Sequence, residues 1–338
     1  MLTRLLLHVL VRRFFSVAYV AVALVLAGSF LLLAVTSGGL PSPWPACPER
    51  GPPPEQPVGH FLVVLVVSAP ADGGARDTLR DTWFRSCPQD GDVRCYFVLG
   101  TAGLPKDTVR ELEDERDRHH DLLLLPEVTD TFANLTLKVL TALVWADEKA
   151  GAQYVLKCDD DTFVRLPKIV NELKEGETAP SSASLYWGFF DGRAAVQKKG
   201  KWQENNWILC DHYLPYALGG GYVLGSRLLH YITRNRHDLQ LFYNEDVSVG
   251  TWLAPLKDVR RVHDPRFDTE YKSRGCHNSY LVTHKKSAAE MAAMWEQLRW
   301  GSDRLCPGGQ ETRLRLSYRY DWLAPPSLCC RRHDPSIP

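Results

Sequence analysis

The chain carries no excess charge of either sign, with 40 Lys and Arg set against 40 Asp and Glu in 338 residues. It therefore lacks a broad field able to recruit nucleic acid or an acidic lipid surface, and any charge chemistry has to be local. None of the nine cysteines forms a CxxC pair, which removes the usual structural zinc frameworks. There is no GxGxxG nucleotide loop and no internal repeat. A single N-x-[ST] triplet occurs, Asn134-Leu135-Thr136, and Asn134 would accept a glycan only in a secretory lumen.

What is present begins with one long apolar run. Residues 14–35 contain no charged side chain and match the roughly 20 residues needed to cross a bilayer as a helix. Arg4, Arg12 and Arg13 precede the run, and no Lys or Arg follows it before Arg50, which puts the N-terminus in the cytoplasm. A cleaved signal peptide is the rival, but its apolar core is about 7–15 residues long. The expected organisation is a cytoplasmic tail at 1–13, a transmembrane signal-anchor at 14–35, a Pro-rich stem at 36–57 and one lumenal domain at 58–338. Lumenal placement favours disulfides. Cys87 and Cys95 are spaced to close a short hairpin, adjacent Cys329 and Cys330 are expected to take different partners, and the odd count leaves a thiol over.

From His60 onward helix and strand patterns alternate. FLVVLVV (61–67), VRCYFVLG (93–100), LLLL (122–125) and YVLKC (154–158) read as strands. Residues 76–85, 106–119 and 135–150 read as helices, followed later by 245–254 and 286–299. Such order predicts an α/β domain with a mainly parallel, Rossmann-like sheet and a site at the carboxyl ends of its strands.

The last of those strands runs into Asp159-Asp160-Asp161. Three adjacent carboxylates disfavour joint ionisation unless a cation neutralises them. Oxygen ligands suit a hard divalent ion, Mn²⁺ or Mg²⁺, with open positions for phosphate oxygens. The plainer alternative is a solvated loop or a helix N-cap. Strand-Asp-x-Asp-Thr also resembles the nucleophile loop of haloacid-dehalogenase-type phosphatases, but that loop lies near the start of its domain, and here about 100 residues of α/β pattern come first.

RDTLRDTW (76–83), NLTLK (134–138), YVLKCDDDTFV (154–164), YALGGGYVLG (216–225), YNEDVSVG (243–250) and the C-terminal RLSYRYDWLAPPSLCC together resemble, in order, the β-1,3-galactosyltransferase family. The resemblance spans residues 60–332 and is strongest, through WGFFDGR and HDPRFDTEY, to members acting on the proteoglycan linkage region. It implies a GT-A type glycosyltransferase fold, UDP-galactose as donor, Mn²⁺ as cofactor and an inverting, single-displacement reaction. The implied acceptor is a galactosyl-xylosyl core protein, and the implied location is the Golgi membrane, with room for complexes with other linkage-region glycosyltransferases. A non-catalytic lumenal lectin of the same fold is the opposing reading, which loss of the base or the acidic triplet would favour.

The same resemblance assigns roles. Asp161 and Asp159 match the family's DxD metal motif, with Asp159 and Asp160 also toward ribose or uracil; His284 falls where relatives place a late histidine ligand, with His263 in reserve. Asp246 matches the catalytic carboxylate, with Glu245 the alternative base or an acceptor contact; an acidic first helical turn is also favoured by the helix dipole alone. Arg76 and Arg80, one helical turn apart, are placed beside the nucleotide, where a guanidinium would grip a diphosphate. Their ordinary alternative is surface salt bridging. Gly219, Gly220 and Gly221 permit close backbone approach to the donor or turns with positive φ. Trp187, Trp202 and Trp207 are acceptor-cleft candidates because sugar C–H faces pack on indole, although most tryptophans are core. Cys158, just before the triplet, departs from the family's habit and reads as a packed small hydrophobe.

Overall fold

Leu62–Val67 (β1) is an unbroken aliphatic run, buried along almost its whole length, and the domain is laid around it. A computed structural model describes residues 59–87, 91–175, 182–299, 303–312, 314 and 318–331, so the expected tail, anchor and stem lie outside the described residues. No helix among the described residues is long and apolar enough to cross a membrane.

After β1 come α1 (Gly73–Asp81), β2 (Val93–Gly100), α2 (Lys106–His119), β3 (Leu122–Leu125), α3 (Leu135–Glu148) and β4 (Tyr154–Asp159). These four strands pair in parallel, in the order β3-β2-β1-β4. Each connection carries a helix, as parallel neighbours require. Val67 lies opposite Asp159, so the carboxyl ends of β1 and β4 share one edge.

Past β4 the topology changes. A short β5 (Phe163–Val164) and α4 (Leu166–Glu175) lead to β6 (Leu185–Asp191) and β7 (Tyr216–Gly225), followed by α5 (Ser226–Asn235), α6 (Glu245–Leu253) and β8 (Arg260–His263). β7 pairs antiparallel with both β4 and β6, and β8 pairs parallel with β6. The seven-stranded sheet, β3-β2-β1-β4-β7-β6-β8, is therefore mixed. The parallel expectation holds only for its first half. No crossover helix separates β6 from β7, and the chain returns from one to the other antiparallel.

A second, three-stranded sheet joins β5 to β10 (Val282–Thr283) and β10 to β9 (Phe267–Asp268). It ties the turn after β4 to a segment 120 residues further on, just ahead of His284. Helix α7 (Ala288–Arg299) and a hairpin of β11 (Arg319–Tyr320) with β12 (Cys330–Arg331) complete the chain.

Cys87–Cys95 is bridged as the spacing suggests, and Cys276–Cys306 forms a second bridge. Cys329 and Cys330 pair with each other rather than with separate partners. Both are buried against Gly192, just past the end of β6, where an added Cβ would meet the Cys330 sulfur. Cys158 is a free, fully buried thiol whose pKa burial pushes far up, as expected of a packed hydrophobe.

Candidate active site

A cleft of about 650 Å³ opens at the carboxyl ends of the strands, lined by Asp159, Gly219, Gly220, Glu245, Asp246 and His284 among others. That volume is typical of small-molecule sites. The turn after β4 supplies its acidic wall. Thr162 N donates to Asp159 O at 3.2 Å, Lys286 N to Asp161 O at 2.9 Å, and the Thr162 hydroxyl to Gly220 O at 3.0 Å. Trp83, the last residue of RDTLRDTW, holds this turn from behind by donating its indole N–H to Thr162 O at 3.0 Å.

Asp159, Asp161 and His284 offer one ligand atom each within 4.8 Å of one another. His284 Nε2 lies 2.9 Å from Asp161 Oδ1 and 3.4 Å from Asp159 Oδ2, yet Nε2 and Asp161 Oδ1 are both buried without a hydrogen-bond partner. Buried ligand atoms gathered this closely fit a bound cation. Two carboxylates with one imidazole suit Mn²⁺. Burial opposes charge on His284, but Asp159 and Asp161 outweigh it and lift its pKa to about 9. The two carboxylates thus demand positive charge at this point. Lys285 adds more, at 2.8 Å from Asp161 Oδ2.

His263, the reserve ligand, lies elsewhere. Its ring packs on Phe189 and Tyr318, its Nδ1 accepts from Phe190 N at 3.0 Å, and burial drops its pKa to about 4. Asp160 is not one of the three clustered ligand groups. Burial first, against the Ser68 hydroxyl and with help from Asp72 and Asp159, pushes its pKa up to about 6.

The opposite wall is the start of α6. Asp246 Oδ2 accepts from Gly219 N and Oδ1 from Val247 N, both at 2.9 Å. Burial and then the charge of Glu245 raise the Asp246 pKa to about 7, with Gly219, Lys157 and Val247 opposing. A carboxyl balanced near neutrality and facing a cleft is suited to accept a proton. Glu245 is committed otherwise. It is buried, receiving Lys157 Nζ at 3.0 Å on Oε2 and the Tyr222 hydroxyl on Oε1. Ion-paired to Lys157 and buried, Glu245 serves to hold the two walls together, whereas Asp246 is held only by backbone N–H groups and is the better placed of the two to accept a proton.

Lys157, in the middle of YVLKC, escaped the sequence reading, although a lysine inside a buried strand was the signal available. Its ammonium binds Asp159 Oδ1 at 2.9 Å, Gly219 O at 2.7 Å and Glu245, linking the two walls. The glycines lie inside β7 with extended backbone, not in a turn of positive φ. A Cβ on Gly220 would stand 2.7 Å from the His284 ring, and one on Gly221 2.8 Å from Val282. They admit the triad histidine to the strand, a role that needs no donor contact.

Other expectations are corrected. Arg76 gives its guanidinium to Glu115 at 2.7 and 2.8 Å and to Ala69 O at 2.8 Å; Arg80 binds Glu115 and Asp121. Both arginines are consumed by carboxylates from α2 and the start of β3, which leaves neither fork for a diphosphate. Trp187 is wholly buried, donating to Asp264 at 3.0 Å. Trp207 is packed among Tyr213 and Phe242 with its N–H on Cys210 O. Of the three tryptophans singled out, Trp202 alone lines the cleft. Asn134 stands at the N-cap position of α3 without a side-chain cap, its amide donating to Thr129 O at 3.1 Å, and Thr136 is buried on Phe242 O.

A cation site and a near-neutral carboxyl facing each other across one cleft are the equipment of a transferase whose leaving group departs as an anion. The chain belongs to the galactosyltransferase family, whose pattern matches residues 74–265, and within it to the β-1,3-galactosyltransferases. It is 52% identical over 276 residues to beta-1,3-galactosyltransferase 6 of Mus musculus, covering 81% of this chain and 83% of that protein. It is 32% identical over 250 residues to hydroxyproline O-galactosyltransferase GALT5 of Arabidopsis thaliana, covering 72% of this chain and 36% of that longer protein. Among solved structures, the mannosyltransferase PcManGT from Pyrobaculum calidifontis in complex with GDP-Man and Mn²⁺ aligns over 64% of this chain and 58% of that chain, at 14% identity and a TM-score of 0.37.

Proposed function

We propose that this protein transfers galactose from UDP-galactose, with inversion, onto O3 of the galactose in Galβ1-4Xyl on a core protein, on a GT-A type fold. The observation that carries the reading is the placement of Asp246, a carboxyl with pKa about 7, in the same cleft as the Asp159, Asp161 and His284 triad. The galactose donor follows from the family, the β1-3 linkage from the similarity to the mouse beta-1,3-galactosyltransferase 6, and the linkage-region acceptor from the resemblance carried by WGFFDGR and HDPRFDTEY.

Asp246 takes the proton from the acceptor O3 as O3 bonds to the anomeric carbon, and the bond from that carbon to the diphosphate oxygen breaks toward UDP. Its backbone donors, Gly219 and Val247, hold the carboxylate in place without adding a competing proton. Mn²⁺ held by Asp159, Asp161 and His284 would supply Lewis-acid stabilisation to the departing diphosphate. Lys157 and Glu245 keep the two walls in register. In this reading the enzyme is anchored in the Golgi membrane by residues 14–35, with the cleft in the lumen, where nucleotide sugar and core protein meet.

The test is incubation of the purified full-length protein with UDP-galactose, Mn²⁺ and a galactosyl-xyloside. A gain of one hexose, in β1-3 linkage by NMR, is expected. UDP release with only some other acceptor would keep the family chemistry and reject the linkage-region assignment.

A further inference from the structure

Two large aromatic rings are left uncovered at the cleft. Trp202 is 44% exposed and Tyr271 55% exposed, whereas Trp187 and Trp207 are 0% and 6% exposed. Their rings meet edge-on, centroids 6.2 Å apart at 65°, and both line the same cleft as Asp246 and His284. A fold that buries most of its aromatic surface but leaves two rings facing the cleft presents a surface for something flat and partly apolar.

The backbone beneath each ring is tied to the site. Asn244 Nδ2 donates to Trp202 O at 3.0 Å, and Asn244 stands two residues before Asp246. Buried Glu204, two residues after Trp202, accepts from Tyr243 N at 2.6 Å and Asn206 N at 3.0 Å. The Trp202 loop is thereby tied to the start of α6, which carries Asp246. On the other side, Tyr271 follows Glu270, whose carbonyl lies 3.3 Å from His284 Nδ1. One ring is referenced to the carboxyl that accepts the proton and the other to the cation triad.

We infer that Trp202, with Tyr271 at its edge, is the stacking platform for the acceptor's terminal pyranose and selects a ring with an axial 4-hydroxyl. This rests on the transfer reading above. In the galacto configuration the axial O4 turns the C3, C4 and C5 hydrogens toward one face, making a compact apolar patch that fits an indole. The equatorial O3 then lies at the rim of the stacked ring, free to face Asp246. With an equatorial O4 that patch is broken, so the platform discriminates against gluco-configured ends.

The experiment uses the detergent-solubilised full chain, methyl Galβ1-4Xyl as probe, and methyl Glcβ1-4Xyl as the control acceptor. In saturation-transfer NMR of the Asp246→Asn protein without donor, galactose H3, H4 and H5 should receive the strongest transfer, and Trp202→Ala added to it should remove that pattern. In turnover, Trp202→Ala should raise the acceptor KM tenfold or more with the UDP-galactose KM within twofold. It should also cut the galactoside-over-glucoside preference at least fivefold, and Trp202→Phe should restore the acceptor KM to within threefold of wild type. If Trp202→Ala does not fold, the NMR pattern of the Asp246→Asn protein and the Trp202→Phe kinetics decide. An even saturation pattern, or an unchanged acceptor KM in a folded Trp202→Ala enzyme that still turns over, overturns the platform alone. Failure of the wild type to use any galactose-terminated acceptor overturns the reading beneath it.

Discussion

Lys157 and Glu245, 88 residues apart in the chain, form an ion pair of 3.0 Å with side chains only 2% and 3% exposed. Glu245 precedes Asp246, and Lys157 also holds Asp159, so one buried cation connects the acidic turn to the carboxylate helix. Removing it leaves Glu245 uncompensated in a desolvated place, which costs about 3–5 kcal/mol when one partner of a buried pair is deleted. Lys157→Met should therefore lower the thermal midpoint by many degrees, and calorimetry reads this directly. Lys157→Met with Glu245→Gln should recover part of the loss.

The pH profile should report Asp246. Its carboxyl must be ionised to accept a proton, and burial and Glu245 hold its pKa at about 7, so kcat/KM should climb through pH 7 and level off above it. Asp246→Asn should lose roughly 10²–10⁴-fold in kcat. Stability runs the other way. A carboxyl whose folded pKa lies above its unfolded value contributes stability that is full below about pH 4 and lost as pH rises through 7. Asp246→Asn should thus melt no lower than wild type at pH 8, which thermal scans at pH 5 and pH 8 would check.

Cation binding should be visible without turnover. Mn²⁺ bound by Asp159, Asp161 and His284 stabilises the folded state by mass action, so it should raise the melting temperature, and a chelator should reverse the gain. His284→Ala and Asp161→Asn should each abolish most of that shift. His263→Ala should leave the shift intact, because that ring packs on Phe189 and Tyr318.

The arginine cluster should behave as structure. Burial opposes ionisation of Glu115, but Arg76 and Arg80 overcome it and pull its pKa down to about 2. A depressed carboxylate contributes stability above its unfolded pKa, near 4.5, and that contribution is lost as pH falls toward 2. Glu115→Gln should flatten this acid dependence. Arg76→Met should destabilise by about 3 kcal/mol with the UDP-galactose KM unchanged, as two-substrate kinetics would reveal.

Much of this architecture was legible in residue patterns. β1 to β4 fall where period and composition place them, because a parallel strand is an apolar run whatever surrounds it, while the helix expected over 76–85 starts earlier and ends at Asp81, before a 3-10 turn at Trp83–Ser86. The acidic triplet announced itself through the cost of its charges, and His284 and Asp246 through family position. The antiparallel return of β7 was not legible, since pairing partners so distant in sequence leave no local trace. Nor were the fates of the arginines and tryptophans. RDTLRDTW looks the same whether its guanidiniums face a phosphate or Glu115, and Trp187, Trp202 and Trp207 differ only in what the fold lays over them. Lys157 was missed because it was read as part of a strand, when a charge within a strand was itself the message.

The central claim is that Asp246 is the proton acceptor of a galactosyl transfer supported by the Asp159, Asp161 and His284 triad. The most direct measurement is single-turnover transfer from UDP-galactose to a galactosyl-xyloside by the wild type and Asp246→Asn, with Mn²⁺ and UDP binding measured on the same samples. The account predicts that Asn at 246 leaves both affinities within about twofold and reduces the transfer rate by at least 100-fold, a loss of about 2.7 kcal/mol of transition-state stabilisation. Transfer at near wild-type rate with Asn at 246 would contradict it and assign the proton to another group.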